Sequence, residues 1–283
     1  MILQSKLCEE QEMEGDGVDT VNENIPFFSV VVVSLNAEKL IRSTLNSVLS
    51  QTFEDFEVIV KDGISTDETV KQIPSDERIQ VFVQKDTGIY DAMNQATSLT
   101  KGRYVLYLNC GDTLASPDVL LKARELIGEE SFGYVYGDWL RDGILHRQPR
   151  KLTDFYMYRT PLCHQSIFFR GDDLRKVFHY DTKYRILADY NLELEMRAVQ
   201  DTKHMDLTVC SYLGGGISET KKGYETKCLE REKIIRVHYP KEKRWLYSLF
   251  LKLTFPNLRN RIVSSKGSFI KKSYQKVVNF INR

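Results

Sequence analysis

The residues of this chain best placed to do chemistry are acids that follow apolar runs. Arg103-Tyr104-Val105-Leu106-Tyr107-Leu108-Asn109 reads as a buried strand, and Cys110-Gly111-Asp112 follow at once. A strand that stops in Gly-Asp projects one carboxylate into the crevice at the carboxyl edge of a parallel sheet, where open α/β sheets bind their ligands. A lone carboxylate there suits a hard divalent cation, and such a cation suits a substrate diphosphate. The plainer alternative is that Asp112 only caps a helix beginning near Ser116. A second strand-ending acid is Asp62, in Lys61-Asp62-Gly63, and a third carboxylate, Asp189, opens a helical segment in the second half.

The elements that must carry these acids are legible. Phe27 to Ser34 is a continuous β-branched run, the mark of a strand buried on both faces. Leu35-Asn36-Ala37-Glu38 turns into a helix whose Leu40, Ile41, Leu45, Val48 and Leu49 recur at helical spacing. Glu57-Val58-Ile59-Val60 is the second strand. Ser65-Thr66-Asp67-Glu68 carries N-cap chemistry and predicts another helix. Ile79 to Val83 is a third strand, followed by Asp86-Thr87-Gly88 and a helix from Tyr90 to Leu99. The order β-α-β-α-β-α-β over about 110 residues predicts a right-handed, mostly parallel sheet with helices on both faces. A dinucleotide-binding domain is disfavoured, because no Gly-x-Gly-x-x-Gly follows the first strand.

Four segments occur in one order: Val33-Ser34-Leu35-Asn36, Lys61 to Asp67, Asp86-Thr87-Gly88-Ile89-Tyr90-Asp91-Ala92-Met93-Asn94, and Leu108 to Asp112. Together they resemble the family 2 glycosyltransferases, inverting enzymes of the GT-A fold, over roughly residues 26–220. The Gly88 to Asn94 segment looks most like the branch that builds bacterial exopolysaccharides such as colanic acid. The resemblance implies a nucleotide-sugar donor, UDP above others, and Mg²⁺ or Mn²⁺ as cofactor. It implies a metal-binding role for Asp112, a uracil-binding role for Asp62, and a nucleotide floor at Ser34 and Asn36. Turn and cap chemistry remains the alternative for these last three. Asp189 looks like the catalytic base, the one general base an inverting transfer requires. Its alternative is an N-cap. His164, in Pro161-Leu162-Cys163-His164-Gln165, is a candidate contact for diphosphate, metal or acceptor, with Gln165 beside it, or else a structural histidine. Gly214-Gly215-Gly216 is either a loop near the acceptor or a bend.

The chain departs from the family pattern at one point. The metal motif usually shows two or three acids, and here Asn109-Cys110-Gly111-Asp112 keeps one. Gly111 stands where an acid often contacts the ribose or assists the metal. Diphosphate oxygens and water can complete a magnesium shell around a single carboxylate. A cation about 4 Å from the leaving charge is worth on the order of 4 kcal/mol at an effective dielectric of 20.

Bulk properties bound the reading. The 283 residues allow one large domain with appendages. This organises as an acidic leader over 1–25, a catalytic region over 26–220 (nucleotide half 26–115, acceptor half 116–220), and a helical, basic segment over 221–283. The five cysteines, Cys8, Cys110, Cys163, Cys210 and Cys228, form no CxxC pair, so neither zinc nor a disulfide framework is expected. No nucleic-acid motif is seen. The net charge of +1 hides an asymmetry: residues 1–24 hold seven acids and one lysine, residues 241–283 eleven Lys/Arg and one Glu. With no signal peptide or long apolar run, the expected location is cytoplasmic. The tail from Lys241 pairs an apolar cluster (Trp245 to Phe255) with Lys243, Arg244 and Lys252, and places Ile270, Tyr274, Val277 and Ile281 on one face, away from Lys271, Lys272 and Lys276. Such a tail suits the surface of an anionic membrane on the inner face, beside a lipid-linked acceptor. Packing against the catalytic domain, or a second copy in a homodimer, is the alternative. A nucleotidyltransferase and a catalytically dead sugar-nucleotide binder also stay open.

Overall fold

The computed structural model describes residues 25–254. In chain order, strand β1 (Phe28–Ser34) leads to helix α1 (Ile41–Leu49), β2 (Phe56–Asp62), β3 (Ile79–Val83), α2 (Ile89–Thr97), β4 (Tyr104–Asn109), β5 (Thr113–Leu114) and α3 (Val119–Ile127). The second half holds β6 (Tyr134–Arg141), β7 (Ile144–His146), α4 (Asp154–Arg159), β8 (Ile167–Arg170), α5 (Gly171–Lys176), α6 (Ala188–Arg197), β9 (Thr202–Ser211), α7 (Lys221–His238) and α8 (Lys241–Thr254).

All described strands join one sheet in the order β3-β2-β1-β4-β8-β6-β9-β5, with β7 paired to β6. The first four are parallel, and β8 runs antiparallel to β4 and β6. Every residue of β1 and β2 is buried; both are mostly apolar, with Ser29 bonded to Glu57 near their starts and polar residues at their ends. Alternate side chains feed two cores. Val31, Val33, Ile59, Val105 and Tyr107 lie under α2 and α6, while Val30, Val32, Val58, Val60, Leu106 and Leu108 lie under α1 and α3. Each such side chain contributes roughly 1.5–3 kcal/mol on burial. The consequence for function is register: Ser34 pairs with Asp62, and Val33 with Asn109, so the carboxyl ends of β1, β2 and β4 finish level with one another.

One expectation changes, and one alternative gains support. The helix expected at Ser65–Glu68 is absent; a single 3₁₀ turn, Val70–Gln72, takes its place. The polar groups that would start a helix are used to bind the β1–α1 loop instead. Ser65 Oγ accepts from the Asn36 amide (2.8 Å), and the Thr66 and Glu68 amides donate to the side chains of Asn36 and Glu38. Pro74 follows, and Ile73 is already extended, as a residue before proline prefers. The tail, in turn, is helical through Thr254 and docks one face of α8. Tyr247 and Phe250 meet Phe155, and Tyr247 also meets Tyr158. The acidic leader and the stripe at Ile270, Tyr274, Val277 and Ile281 lie outside the described residues.

Candidate active site

At the carboxyl ends of β1 and β2, the strand register brings Ser34, Asn36 and Asp62 into one network. Asp62 is 0% exposed. Its Oδ1 accepts from the Ser65 amide (2.7 Å), and its Oδ2 accepts from the hydroxyls of Ser65 (2.6 Å) and Ser34 (2.9 Å). Three of about four carboxylate acceptor sites are thus filled. Asn36 sits at φ +50°, a conformation asparagine tolerates, with its side chain holding Thr66. Beneath this network the fully buried Lys61 donates to Asp86 Oδ2 (3.0 Å) and to the Asp62 carbonyl (3.2 Å). A Cβ on Gly63 would come within 2.7 Å of that Asp86 oxygen, so the turn after β2 needs a glycine. Sequence reading assigned no partner to Lys61 or Asp86; a lysine inside an otherwise apolar strand was the available signal.

Asp112 lies one turn past β4 and is 3% exposed. Its Oδ1 accepts from the Leu213 amide at 2.8 Å, whereas its Oδ2 is buried with no partner. Burial pushes this carboxyl up to about 6, opposed by the Leu213 amide and the Gln165 side chain. Asp112 does not cap α3, whose preceding turn is closed by Ser116 and Asp118. Gly111 adopts φ +101°, and a Cβ there would stand 2.5 Å from Leu213 Cδ2. The space an acidic side chain would need is therefore taken by the residue whose amide holds Asp112. Cys110 lies between the two acids: burial, then the charges of Asp62 and Asp112, raise its thiol to about 12.

The fit to a divalent cation can be judged from these atoms. One buried carboxylate oxygen is open, and Asn109 Oδ1 nearby is also buried without a partner. Among the described residues no three His, Cys, Asp or Glu side chains gather into a cage. The donor set fits a hard ion that takes most of its oxygens from a diphosphate and water.

Asp189 sits in the first turn of α6, on the wall of a cleft of about 500 Å³. Leu187 occupies the N-cap position, so Asp189 is not the cap. Its Oδ1 accepts from Tyr90 OH (3.0 Å) and the Tyr190 amide (2.8 Å), and nothing among the described residues donates to its Oδ2. The Gly88–Asn94 segment explains itself here. Tyr90 OH also donates to the Ile186 carbonyl, and Asn94 holds both backbone groups of Tyr180, so α2 staples the loop that presents Asp189. Burial raises the Tyr90 hydroxyl well above its ordinary range, which keeps it a donor.

His164 and Gln165 face the same cleft. His164 Nε2 is paired with Tyr180 OH at 2.7 Å, and its ring stacks on Tyr107 at 5.3 Å. Burial lowers its pKa, so the ring is neutral at pH 7. Gln165 lines the cleft, and its Oε1 accepts from the Cys163 thiol. Gly214 and Gly215, at φ +79° and +75°, form a loop that Glu219 pins through the Gly215 amide.

One residue escaped sequence reading altogether. Glu230, on α7 and 6% exposed, accepts the amides of Arg185 (2.7 Å), Ile186 (2.9 Å) and Leu187 (3.0 Å). It satisfies the backbone donors just ahead of α6 and fixes the approach to Asp189. In sequence it is one of several charges in a polar helix, with nothing to mark it as buried.

A parallel nucleotide half, strand-ending carboxylates and an acid-bearing cleft across the sheet edge define a GT-A transferase. The comparisons agree. The family model for "Glycosyl transferase family 2" matches residues 29–184, and the chain belongs to that family. It is similar to a "PGL/p-HBAD biosynthesis glycosyltransferase" of Mycobacterium bovis, 34% identical over 205 residues, covering 69% of this chain and 80% of that protein. An uncharacterized glycosyltransferase of Mycobacterium tuberculosis is 27% identical over 206 residues, covering 70% and 79%. Among solved structures, Staphylococcus aureus TarS 1–349 superposes with TM-score 0.62 at 20% identity, covering 84% of this chain and 75% of that one. The mannosyltransferase PcManGT of Pyrobaculum calidifontis, in complex with GDP-Man and Mn²⁺, gives TM-score 0.57 at 19% identity, covering 86% and 71%. The likeness to these structures shows the fold. Among the described residues no helix is long and apolar enough to cross a membrane.

Proposed function

We propose that this glycosyltransferase moves a sugar from a UDP-sugar, with inversion, to a hydroxyl of a lipid-linked cell-surface glycan, of which exopolysaccharide precursors are the candidate class. The observation that carries the reading is Asp189, on the wall of the cleft, with its Oδ1 held by Tyr90 and Tyr190 and no donor to its Oδ2 among the described residues. In the transfer, the acceptor oxygen bonds to the donor's anomeric carbon from the side opposite the leaving group. The bond from that carbon to the diphosphate oxygen breaks, its electron pair leaves with UDP, and the hydroxyl proton passes to Asp189. A single base suffices. The remaining acceptor site on Asp62 Oδ1 suits the N3–H of uracil, and Ser34 and Asn36 form the floor beneath it, with the Gly111 backbone toward the ribose. Asp112 would hold Mg²⁺ or Mn²⁺, which supplies neutralisation of the leaving diphosphate. His164, neutral and tied to Tyr180, shapes the wall beside the acceptor. Solved complexes of TarS with UDP and of PcManGT with GDP-Man and Mn²⁺ support a nucleotide-sugar donor on this fold.

The test is calorimetric. UDP is expected to bind more tightly with Mn²⁺ present, and Asp112→Ala is expected to abolish that enhancement while the protein stays folded. Equal affinity with and without metal would remove Asp112 from the donor site, and a preference for GDP would remove the uracil assignment. UDP binding without any transfer or donor hydrolysis would favour a binding protein.

The same reading places the enzyme on the inner face of an anionic membrane. Trp245 is 69% exposed, with Leu246 and Leu249 exposed along the face of α8 turned away from Phe155, and Lys241 and Lys252 beside them. Each basic residue near such a surface adds about 1 kcal/mol. The intact chain is expected to sediment with anionic vesicles at low salt and to lose this when truncated after Tyr239. Retention in the supernatant would leave α8 as a packing element alone.

A further inference from the structure

Helix α8 carries two stripes with different partners. Lys243, Tyr247 and Phe250 turn toward α4, where Lys243 pairs with Asp154 at 2.8 Å and the two rings meet Phe155. Lys241, Arg244, Trp245 and Ser248 stand at i, i+3, i+4 and i+7, on a neighbouring face. This second stripe forms one wall of a hollow of about 350 Å³, which shares no lining residue with the cleft beside Asp189. Glu232, Ile235 and Arg236, at i, i+3 and i+4 of α7, form the facing wall, and Tyr158 of α4 lines the same hollow.

The charge of this hollow is unbalanced. Glu232 is already paired with Arg236, one turn along α7. Lys241 and Arg244 meet no carboxylate among the described residues. Arg244 Nε is buried with no hydrogen-bond partner among them, a donor held out of bulk water that an incoming oxygen would satisfy. A guanidinium, an ammonium and the Ser248 hydroxyl on successive turns suit the oxygens of one phosphate. The rim is apolar: Trp245 is largely exposed, as are Leu246 and Leu249 on the same helix. An indole at the surface beside cations is the arrangement of a membrane interface, where the ring sits at headgroup depth and basic side chains reach anionic lipid. A dissolved anion would engage the cations alone; a phospholipid engages cations and indole together.

Resting on the membrane placement proposed above, we propose that the hollow between α7 and α8 is a binding site for the phosphodiester headgroup of an anionic phospholipid. Lys241 and Arg244 hold the phosphate oxygens, with Arg244 Nε donating to one of them, and Trp245 lies against the first carbons of the acyl chains. Such a site differs from diffuse attraction in a defined way. Diffuse attraction depends on how many basic residues are near the surface, whereas a seated headgroup depends on these two. Seating one lipid also fixes how α8 meets the surface. Through Lys243 that contact reaches α6, because Asp154 pairs with Arg197 at 2.6 Å as well as with Lys243. Asp189 lies in the first turn of the same α6. The lipid is bound and not consumed; it sets the orientation of the cleft relative to the membrane.

The test uses the full chain. Native protein is first sedimented at low salt with phosphatidylcholine vesicles that contain or lack phosphatidylglycerol, and binding to the first alone is expected. Dihexanoylphosphatidylglycerol, kept below its micelle concentration, is then titrated by fluorescence, with dihexanoylphosphatidylcholine and glycerol 3-phosphate as controls. The chain has two tryptophans, Trp139 and Trp245, so an emission shift that disappears in Trp245→Phe is read at the rim of the hollow. The glycerol lipid is expected to bind at least about tenfold more tightly than either control. Substituting Lys241→Gln and Arg244→Gln together is expected to weaken it at least about tenfold. Lys222→Gln with Lys233→Gln removes the same charge from exposed positions of α7 and is expected to leave the affinity within about twofold. Melting temperature controls for folding, and Lys241→Gln alone, at an exposed position, serves if the pair melts low. Equal losses in the two double variants overturn the proposal and reduce the site to diffuse charge. Glycerol 3-phosphate binding as tightly as the lipid overturns it in favour of a dissolved anion. Vesicle binding by a chain that does not bind the short lipid overturns it and leaves the membrane placement standing. Absence of vesicle binding removes the placement and the proposal together.

Discussion

The carboxyl ends of β1 and β2 and the cleft beside Asp189 are built in opposite ways. Both oxygens of Asp62 are engaged by neighbours that arrive within three residues or through the adjacent strand, so the turn after β2 and the β1–β2 register complete the network. Around Asp189 the supports come from far away: Tyr90, 99 positions earlier, holds the carboxylate, and Glu230 holds the loop ahead of α6. The first arrangement is preformed and has little left to offer but one lone pair. The second lines an open cleft with Asp189, Trp139 and the cations Arg147, Arg185 and Lys227.

The sharpest way to break the comparison is Asp189→Asn. It keeps the hydrogen bonds at Oδ1 and removes proton acceptance. Transfer is expected to fall by roughly two to four orders of magnitude with UDP affinity unchanged, read from kcat and a separate binding titration. A mutant that kept most of its rate would leave the cleft without a base.

Next in size is Glu230. Replacing it with Ala leaves three backbone amides without their acceptor, at about 1–3 kcal/mol for each buried one that finds no water. We expect kcat to fall by about 10- to 100-fold, the cost of a misplaced catalytic group, while the KM for donor holds. Glu230→Asp should recover part of the rate. An equal loss of donor affinity would mean that α7 supports the whole fold and not the acceptor side in particular.

The smallest effect concerns stability. Glu193, one turn after Asp189, is fully buried; Leu162 donates to its Oε2, and its Oε1 has no partner. Burial raises its pKa well above the usual carboxylate range, with Asp189 adding to the rise. The folded state therefore keeps its proton at pH values where the unfolded chain has lost it. Stability is full below the unfolded value and declines as pH rises toward the folded one. Glu193→Gln removes that decline. Its melting temperature is expected to exceed that of the native protein at pH 8, by about 2–4 °C for each kcal/mol recovered, and the gap should close near pH 4. A constant gap at both pH values would show that the side chain is not protonated in the native state.

Much of the donor half was legible because its determinants are local. β-branched runs that end in acids mark buried parallel strands, and the turn residues follow within three or four positions, as at Asp62 and Ser65. The helix expected at Ser65–Glu68 failed for a reason local reading cannot see: the same Ser, Thr and Asp side chains that start helices were taken up by Asn36 and Glu38 across the sheet edge. The motif around Tyr90 was visible as a pattern, but its work on the loop before Asp189 was not.

The sequence by itself determined where strands would lie and which acids would stand at their carboxyl ends, because burial on both faces and two-residue alternation are written into consecutive residues. Only the tertiary structure decided what those acids meet. Leu213, 101 positions after Asp112, supplies its amide partner and fills the space over Gly111. On the cleft wall Arg141 is paired by Glu219, 78 positions on, while Arg147, Arg185 and Lys227 meet no carboxylate among the described residues. Such pairings depend on how loops close over the sheet edge, and chain separation of that length leaves no periodicity for a sequence to display.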